Sequence, residues 1–309
     1  MITTVTLNPC IDRSVYVSGL KVGGYNLVSH SRTDLGGKGI NVSIVAHALG
    51  YDTRALCLDY MDGGTLLSDG LSHLGIPSVL VPAYGRLREN LKLYDAETGD
   101  MTEINEPGSP IDQSTMTRIL QRFDALLPNT NVLVLSGSVP PGVDTGIYAR
   151  LIQRAKEAKV YTVLDAAGDL LRAGIKAGPD LIKPNRFEME TLCGRTLDSL
   201  EIALEEAQKV LDGGVGAVCL SPGDKGALLL NAEERWYSPG ATIEVRGMQG
   251  AGDSLVAGLC IGHIEGWSSD KTLQTGIALA EGSLMREGTQ LCTKQLFDRL
   301  VGKVKVERV

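Results

Sequence analysis

Between residues 114 and 220 the chain switches repeatedly between two kinds of apolar pattern, and this alternation restricts the folds open to it. Met116, Ile119, Leu120, Phe123, Leu126 and Leu127 recur at helical spacing, as do Ile147, Leu151, Ile152 and Ala155. Among them lie short uninterrupted runs: Val132-Leu133-Val134-Leu135, Thr162-Val163-Leu164, Leu181-Ile182 and Ala217-Val218-Cys219-Leu220. Strands with no polar alternation are covered on both faces, which helices on either side of a parallel sheet provide. The repetition predicts an α/β fold with its ligand site along the carboxyl ends of the strands. The four runs end in Ser136-Gly137-Ser138, in Asp165, in Lys183-Pro184-Asn185 and in Ser221-Pro222-Gly223-Asp224-Lys225-Gly226, all polar or small.

The N-terminal part interrupts this order. A strand over Ile2–Leu7 leads into Asn8-Pro9-Cys10-Ile11-Asp12, which puts Asp12 just past a strand end, although a simple turn aspartate fits equally well. Residues 14–34 mix Val15, Tyr16, Val17, Leu27 and Val28 with three glycines and read as a β-hairpin. Gly36-Gly37-Lys38-Gly39-Ile40-Asn41 then opens a helix with the stripe Val42, Val45, Leu49 and a stop at Gly50. The lysine is followed by glycine rather than serine or threonine, so this is no P-loop. Strands at 53–58 and 78–82 flank another helix. A second hairpin joins Gly85–Tyr94 to Met101–Asn105, with Arg88, Asn90 and Lys92 on one face. A solvated basic face is the ordinary explanation of such a pattern; an anionic substrate is the functional one.

Gly250-Ala251-Gly252-Asp253-Ser254 runs into the apolar Leu255-Val256-Ala257-Gly258-Leu259-Cys260-Ile261, so a helix is expected from about Gly252 or Asp253. Its first N–H groups have no internal partner and lie at the positive end of the helix dipole, where phosphate binds. A carboxylate in the same turn can accept a proton from a hydroxyl beside that phosphate. Taken alone, the segment equally fits a loop followed by a favourably placed charge. A net charge of −7 argues against nucleic-acid binding, and no apolar run approaches the roughly 20 residues of a membrane span. Six scattered cysteines without a Cys-x-x-Cys pair, and no leader-like start, lead us to expect a reduced cytoplasmic protein. The four histidines lack metal-site spacing.

Five segments resemble the ribokinase-like carbohydrate kinases of the PfkB type, in family order and over essentially the whole chain. They are Thr6-Leu7-Asn8-Pro9 with Asp12, Gly36-Gly37-Lys38-Gly39-Ile40-Asn41-Val42, Gly137-Ser138-Val139-Pro140, Leu181-Ile182-Lys183-Pro184-Asn185 and Gly250-Ala251-Gly252-Asp253-Ser254. The resemblance implies a three-layer α/β/α fold over residues 1–309, a mostly parallel central sheet, and a β-sheet lid made of insertions at about 12–34 and 86–106. It implies an ATP-dependent transfer of the γ-phosphoryl group to a sugar-phosphate hydroxyl. Thr6–Pro9, the Arg88/Asn90/Lys92 strand and Glu103–Gly108 are most similar to the branch acting on fructose 1-phosphate. Tagatose-6-phosphate and fructose-6-phosphate kinases are the neighbouring branches.

Residue by residue, the resemblance makes Asp253 the base and Gly250, Ala251 and Gly252 the anion hole. Asp12, Gly37, Lys38, Asn41 and Arg88 would hold the sugar phosphate, aided by Lys92 and Ser138. Lys183 and Asn185 would face the nucleotide phosphates, Ser221, Gly223 and Gly226 would line the nucleotide pocket, and Glu188 would place Mg²⁺ through water. The expected cofactors are ATP, Mg²⁺ and a monovalent cation, and the expected assembly is a homodimer through the lid. The chain departs from the family pattern at Gln249, where a small or β-branched residue is usual before the first glycine. A non-catalytic sugar-phosphate or nucleotide sensor on this scaffold is the reading from another class; the intact Asp253, Lys183–Asn185 and Glu188 argue against it.

Overall fold

The computed structural model of the chain describes residues 1–221, 226–247 and 249–309. Strand β1 (Ile2–Thr6) is followed by β2 (Cys10–Val17) and β3 (His30–Gly36), and helix α1 (Lys38–Ala48) returns to the body. Next come β4 (Thr53–Asp62), α2 (Gly64–His73), β5 (Ser78–Arg86), β6 (Arg88–Asp95) and β7 (Met101–Asn105). The alternating stretch gives α3 (Gln113–Leu126), β8 (Val132–Ser136), α4 (Ile147–Glu157), β9 (Tyr161–Asp165), α5 (Gly168–Ile175) and β10 (Leu181–Ile182). It continues through α6 (Arg186–Cys193), α7 (Leu200–Asp212), β11 (Ala217–Leu220), β12 (Ala227–Asn231) and β13 (Arg235–Ser238). The chain closes with α8 (Ala251–Glu265), α9 (Ser269–Leu284), α10 (Lys294–Leu300) and β14 (Glu307–Arg308).

Ten strands form the central sheet in the order β14-β13-β12-β11-β10-β9-β8-β1-β4-β5. From β5 to β11 neighbours run parallel, and β12, β13 and β14 add an antiparallel edge. The buried runs explain the layering. Side chains alternate across a strand, so Val132 and Val134 enter one core while Leu133 and Leu135 enter the other. The first core packs the sheet on α1, α8, α9 and α10 through residues such as Val45, Val256, Ile277 and Leu300. The second packs it on α2 to α7 through Leu67, Phe123, Leu151, Leu171, Met189 and Ala207. The three-layer α/β/α expectation holds. The apolar runs did not announce the antiparallel edge, since β13 and β14 are short and carry no buried run.

A second sheet of four strands, in the order β3-β2-β6-β7, stands over the carboxyl ends of the parallel strands. Its two hairpins are the ones expected, and they join through a parallel pairing of β2 with β6 that neither hairpin announces by itself. That pairing sets Asp12 opposite Asn90 and Ser14 opposite Lys92. Among the described residues no helix is long and apolar enough to cross a membrane.

Helix α8 is apolar around its whole circumference and buried from Asp253 to Gly262, which only a helix between other elements can be. Its glycines permit that position. A Cβ on Gly258 would lie 2.5 Å from the Cα of Gly276 in α9, so the two helix backbones touch. The helix begins at Ala251, one or two residues before the expected start, because Gly250 adopts a left-handed φ of 76° and serves as its cap.

Candidate active site

One cavity of about 1190 Å³ lies between the lid and the central sheet. Asp12, Gly37, Lys38, Asn41, Arg88, Lys92 and Ser138 line it on the lid side, and Lys183, Asn185, Ser221 and Gly226 on the other. Gly250, Ala251, Gly252 and Asp253 line it as well. Of the sequence-predicted residues, Glu188 is not on the wall and Gly223 lies outside the described residues.

The turn that opens α8 is held from below. Gly250 carries the left-handed backbone, and a Cβ there would meet Leu291 Cδ2 at 2.4 Å. The Ser254 hydroxyl donates to the Gly250 carbonyl at 2.8 Å, which closes the first turn of α8. Asp253 is almost fully buried, and its Oδ2 accepts a hydrogen bond from Asn41 Nδ2 at 2.7 Å. Burial, then the nearby Asp165 charge, pushes the Asp253 carboxyl up to about 6 against the pull of Lys38, Asn41 and Lys183. Such a carboxylate is ionised at neutral pH and a better base than an exposed one.

Asp165, at the end of β9, receives no role from the family resemblance and is central in the structure. It has no exposed surface, and its two oxygens bind two lysines from different parts of the chain. Oδ2 lies 3.0 Å from Lys38 Nζ and Oδ1 lies 3.3 Å from Lys183 Nζ. Burial opposes ionisation of Asp165, but Lys183 and Lys38 outweigh it and hold the carboxyl below its ordinary range. Burial likewise works against the Lys38 ammonium, yet Asp165, Asp253 and Glu188 together raise its pKa above the usual lysine value. Lys183 reaches the turn itself: a Cβ on Gly252 would be 3.4 Å from its Nζ. The sequence signal was present, since Asp165 ends a buried strand in line with Ser136, Lys183 and Ser221. What the sequence lacked was the partner.

On the lid, Asp12 is buried and accepts from Asn90 Nδ2 at 3.1 Å. Burial raises its pKa, although Lys92, Asn90 and Arg88 pull the other way. A side chain at position 36 is excluded, because its Cβ would lie 2.5 Å from Asp12 Oδ2. Arg88 braces the lid on the body. Its Nε and Nη2 donate to the Asn8 carbonyl at 3.1 and 2.9 Å, and Nη1 donates to Asn90 Oδ1 at 3.0 Å and to the Glu106 carbonyl at 3.2 Å. Asn8 Nδ2 donates to the Ser138 hydroxyl at 3.0 Å, which ties that cavity residue to the same brace. Asn8 and Ser136 line the cavity, and Asn8 Oδ1 and Ser136 Oγ are themselves buried without a hydrogen-bond partner.

On the opposite side, Asn185 and Glu188 form a reciprocal cap on α6. Asn185 Oδ1 accepts from the Glu188 N–H at 2.8 Å, and Glu188 Oε2 accepts from the Asn185 N–H at 2.8 Å. One carboxylate oxygen of Glu188 is therefore committed to structure. Asn185 also bridges to Ser221, which holds the end of β10 against the end of β11. Gly226 is fixed by space as well as by its φ of 77°, since a Cβ there would overlap the Ser238 carbonyl oxygen at 1.8 Å. Pro239, Ile243, Ala280 and Leu284 continue this side of the cavity as an apolar wall.

Residues 5–296 match the profile of the pfkB family carbohydrate kinases. The chain is 30% identical over 309 residues to a 1-phosphofructokinase of Escherichia coli strain K12, covering 99% of this chain and 98% of that protein. It is 31% identical over 311 residues to a 1-phosphofructokinase of Bacillus subtilis strain 168, covering 100% of both. The crystal structure of phosphofructokinase-2 from Escherichia coli in complex with potassium superposes with a TM-score of 0.92, at 25% identity and 98% coverage of each chain. With a family profile spanning nearly its whole length and full-length relatives at this identity, the chain belongs to the pfkB family of carbohydrate kinases.

Proposed function

We propose that this kinase transfers the γ-phosphoryl group of ATP to a hydroxyl of fructose 1-phosphate, giving fructose 1,6-bisphosphate and ADP. The observation that carries the reading is the placement of Asp253. It stands between a lid carrying Asp12, Arg88 and Lys92 and a nucleotide side carrying Lys183 and Ser221, within one cavity. The similarity to 1-phosphofructokinases supports the choice of sugar.

In this mechanism Lys92, Arg88 and Asn41 orient the sugar phosphate, and Asp12 accepts from its hydroxyls. Asp253 takes the proton of the attacking hydroxyl as the new O–P bond forms. The first N–H groups of α8 and the Lys183 ammonium receive the charge on the transferring phosphoryl oxygens, so positioning and electrostatics supply most of the acceleration. Asp165 holds the Lys38 and Lys183 ammonium groups at a fixed separation. Lys183 and Asn185 face the nucleotide phosphates, and the apolar wall at Ile243, Ala280 and Leu284 suits the base.

The donor set fits Mg²⁺. Glu188 would help to place the ion through water with the carboxylate oxygen that its cap leaves free, the nucleotide phosphates supplying the other ligands. When bound, the ion neutralises charge on the β- and γ-phosphates. A monovalent cation is the remaining expected cofactor, by analogy with phosphofructokinase-2 from Escherichia coli, whose crystal structure is a complex with potassium.

A panel of fructose 1-phosphate, fructose 6-phosphate, tagatose 6-phosphate and unphosphorylated sugars, read by coupled ADP release, tests the assignment. Preference for fructose 1-phosphate is expected. Turnover of unphosphorylated sugars alone would remove the anionic-substrate reading, and ligand binding without any ADP release would favour the sensor. We assign the exposed Val22, Tyr25 and Leu27 of the lid to a homodimer contact. Sedimentation equilibrium should give a dimer, and a monomer at micromolar concentration would end that assignment.

A further inference from the structure

The lid is tied to the body at both of its edges, and the two ties land close to the catalytic turn. On the β3 edge, Asp34 Oδ2 accepts from the Thr289 hydroxyl at 2.9 Å. On the β7 edge, Glu103 Oε1 accepts from the side-chain amide of Gln249, the residue directly before Gly250. The other oxygen of Glu103 is not spare. Oε2 lies 3.0 Å from the ammonium of Lys92, whose side chain is 5% exposed, and accepts from Asn105 Nδ2 at 3.0 Å. An unbroken chain of polar contacts therefore runs from Lys92 through Glu103 and Gln249 to the first glycine of the turn. Gln249 and Lys92 both line the cavity.

We propose that Gln249 is a positioning residue that registers the catalytic turn against the lid through Glu103. The base and the anion hole are then aligned only while the strand carrying Lys92 is seated. This rests on the kinase reading above. The physical need is clear from the turn itself: Gly250, the cap of α8, has no Cβ and Gly252 follows in its first turn, so the chain entering the helix has more backbone freedom than residues with side chains would allow. A hydrogen bond to a carboxylate is about twice as strong as a neutral one and can restrain it. The amide is also the right chemistry for the position. A lysine there would compete with Lys92 for Glu103, and a glutamate would set two carboxylates against each other. The small or β-branched residue usual in the family cannot reach Glu103 at all, so the tether belongs to this chain's own departure from the pattern.

The test uses the full chain with Gln249→Ala, Gln249→Glu, Glu103→Gln and the exchanged pair Gln249→Glu/Glu103→Gln. Gln249→Ala should lower kcat about 10-fold with KM for ATP changed less than about twofold, because misplacement of the reacting groups costs rate rather than nucleotide affinity. Gln249→Glu should lose at least as much, and the exchanged pair, which restores a donor facing an acceptor, should recover about fivefold or more of that loss. Unchanged kcat in Gln249→Ala, or an exchanged pair no better than Gln249→Glu, would overturn the proposal. Hydrogen exchange gives a second measurement that needs no turnover. Amides of residues 101–105 should exchange faster in Gln249→Ala than in the parent protein while those of 132–136 stay the same, and equal exchange at 101–105 overturns the tether. If the parent protein phosphorylates no sugar, the kinase reading falls and the exchange result alone judges Gln249.

Discussion

The two sheets hold the same cavity by different means. The central sheet is covered on both faces, and the groups it presents are fixed by burial: Asp165 is 0% exposed and Lys183 is 3% exposed. The lid has one face toward the cavity and carries exposed apolar residues outside it, among them Val22, Tyr25 and Leu27. Its own site residues, Asp12, Asn90 and Lys92, are buried only because the lid sits over the body. Segments with few buried contacts open at lower free-energy cost than core strands. On the proposed mechanism, the chemistry then belongs to the rigid layer and sugar capture to the layer that can lift.

The largest effect should come from the rigid side. Asp253→Asn keeps the shape and the Asn41 neighbour but removes the proposed base, so kcat should fall about 10²–10⁴-fold while ATP binding by calorimetry is retained. Turnover near the parent level would remove Asp253 from its role and, with it, the assignment of chemistry to the central sheet.

Two lysine variants separate the layers. Lys92→Met should raise KM for the sugar phosphate about 10- to 100-fold and leave KM for ATP nearly unchanged, since one charge-assisted contact to the sugar side is lost. Lys183→Met should do the reverse, with an added loss of thermal stability because the buried Asp165 carboxylate keeps only Lys38 as its ion-pair partner. Equal effects of both variants on both substrates would break the division between lid and body.

The smallest and most graded effect is with pH. Because the Asp253 carboxyl is raised to about 6, kcat should fall about tenfold per pH unit as the pH drops below that value. The sign for stability is opposite. The ordinary value is 3.8, so between about 4 and 6 the folded protein binds more protons at this group than the unfolded chain. Its contribution to stability therefore increases as the pH falls through that window. A kcat profile flat from pH 7 to 5 would show that Asp253 does not set the rate.

The layering and most of the candidate site were legible in the sequence. Uninterrupted runs such as Val132–Leu135 mark strands covered on both faces, and the residues that end them lie on one edge whatever the strand order. Gly36, Gly250 and Gly226 were visible as glycines, and the structure supplies the reason for each: an Asp12 oxygen, a left-handed cap, and a carbonyl oxygen where a side chain would be. The reciprocal cap between Asn185 and Glu188 was hidden behind the metal role expected of Glu188, because a carboxylate in a first helical turn serves either purpose.

Local patterning was enough to specify the α/β layers, the two hairpins, and the set of polar residues brought to the strand ends, since period and glycine placement act over a few residues. Which charges meet was settled by the packing of distant segments. Asp165 joins Lys38 and Lys183 across 127 residues in one direction and 18 in the other, and Glu103 meets Gln249 across 146. Such pairs depend on strand order and on the seating of one sheet over another, and no periodicity in the chain encodes those distances.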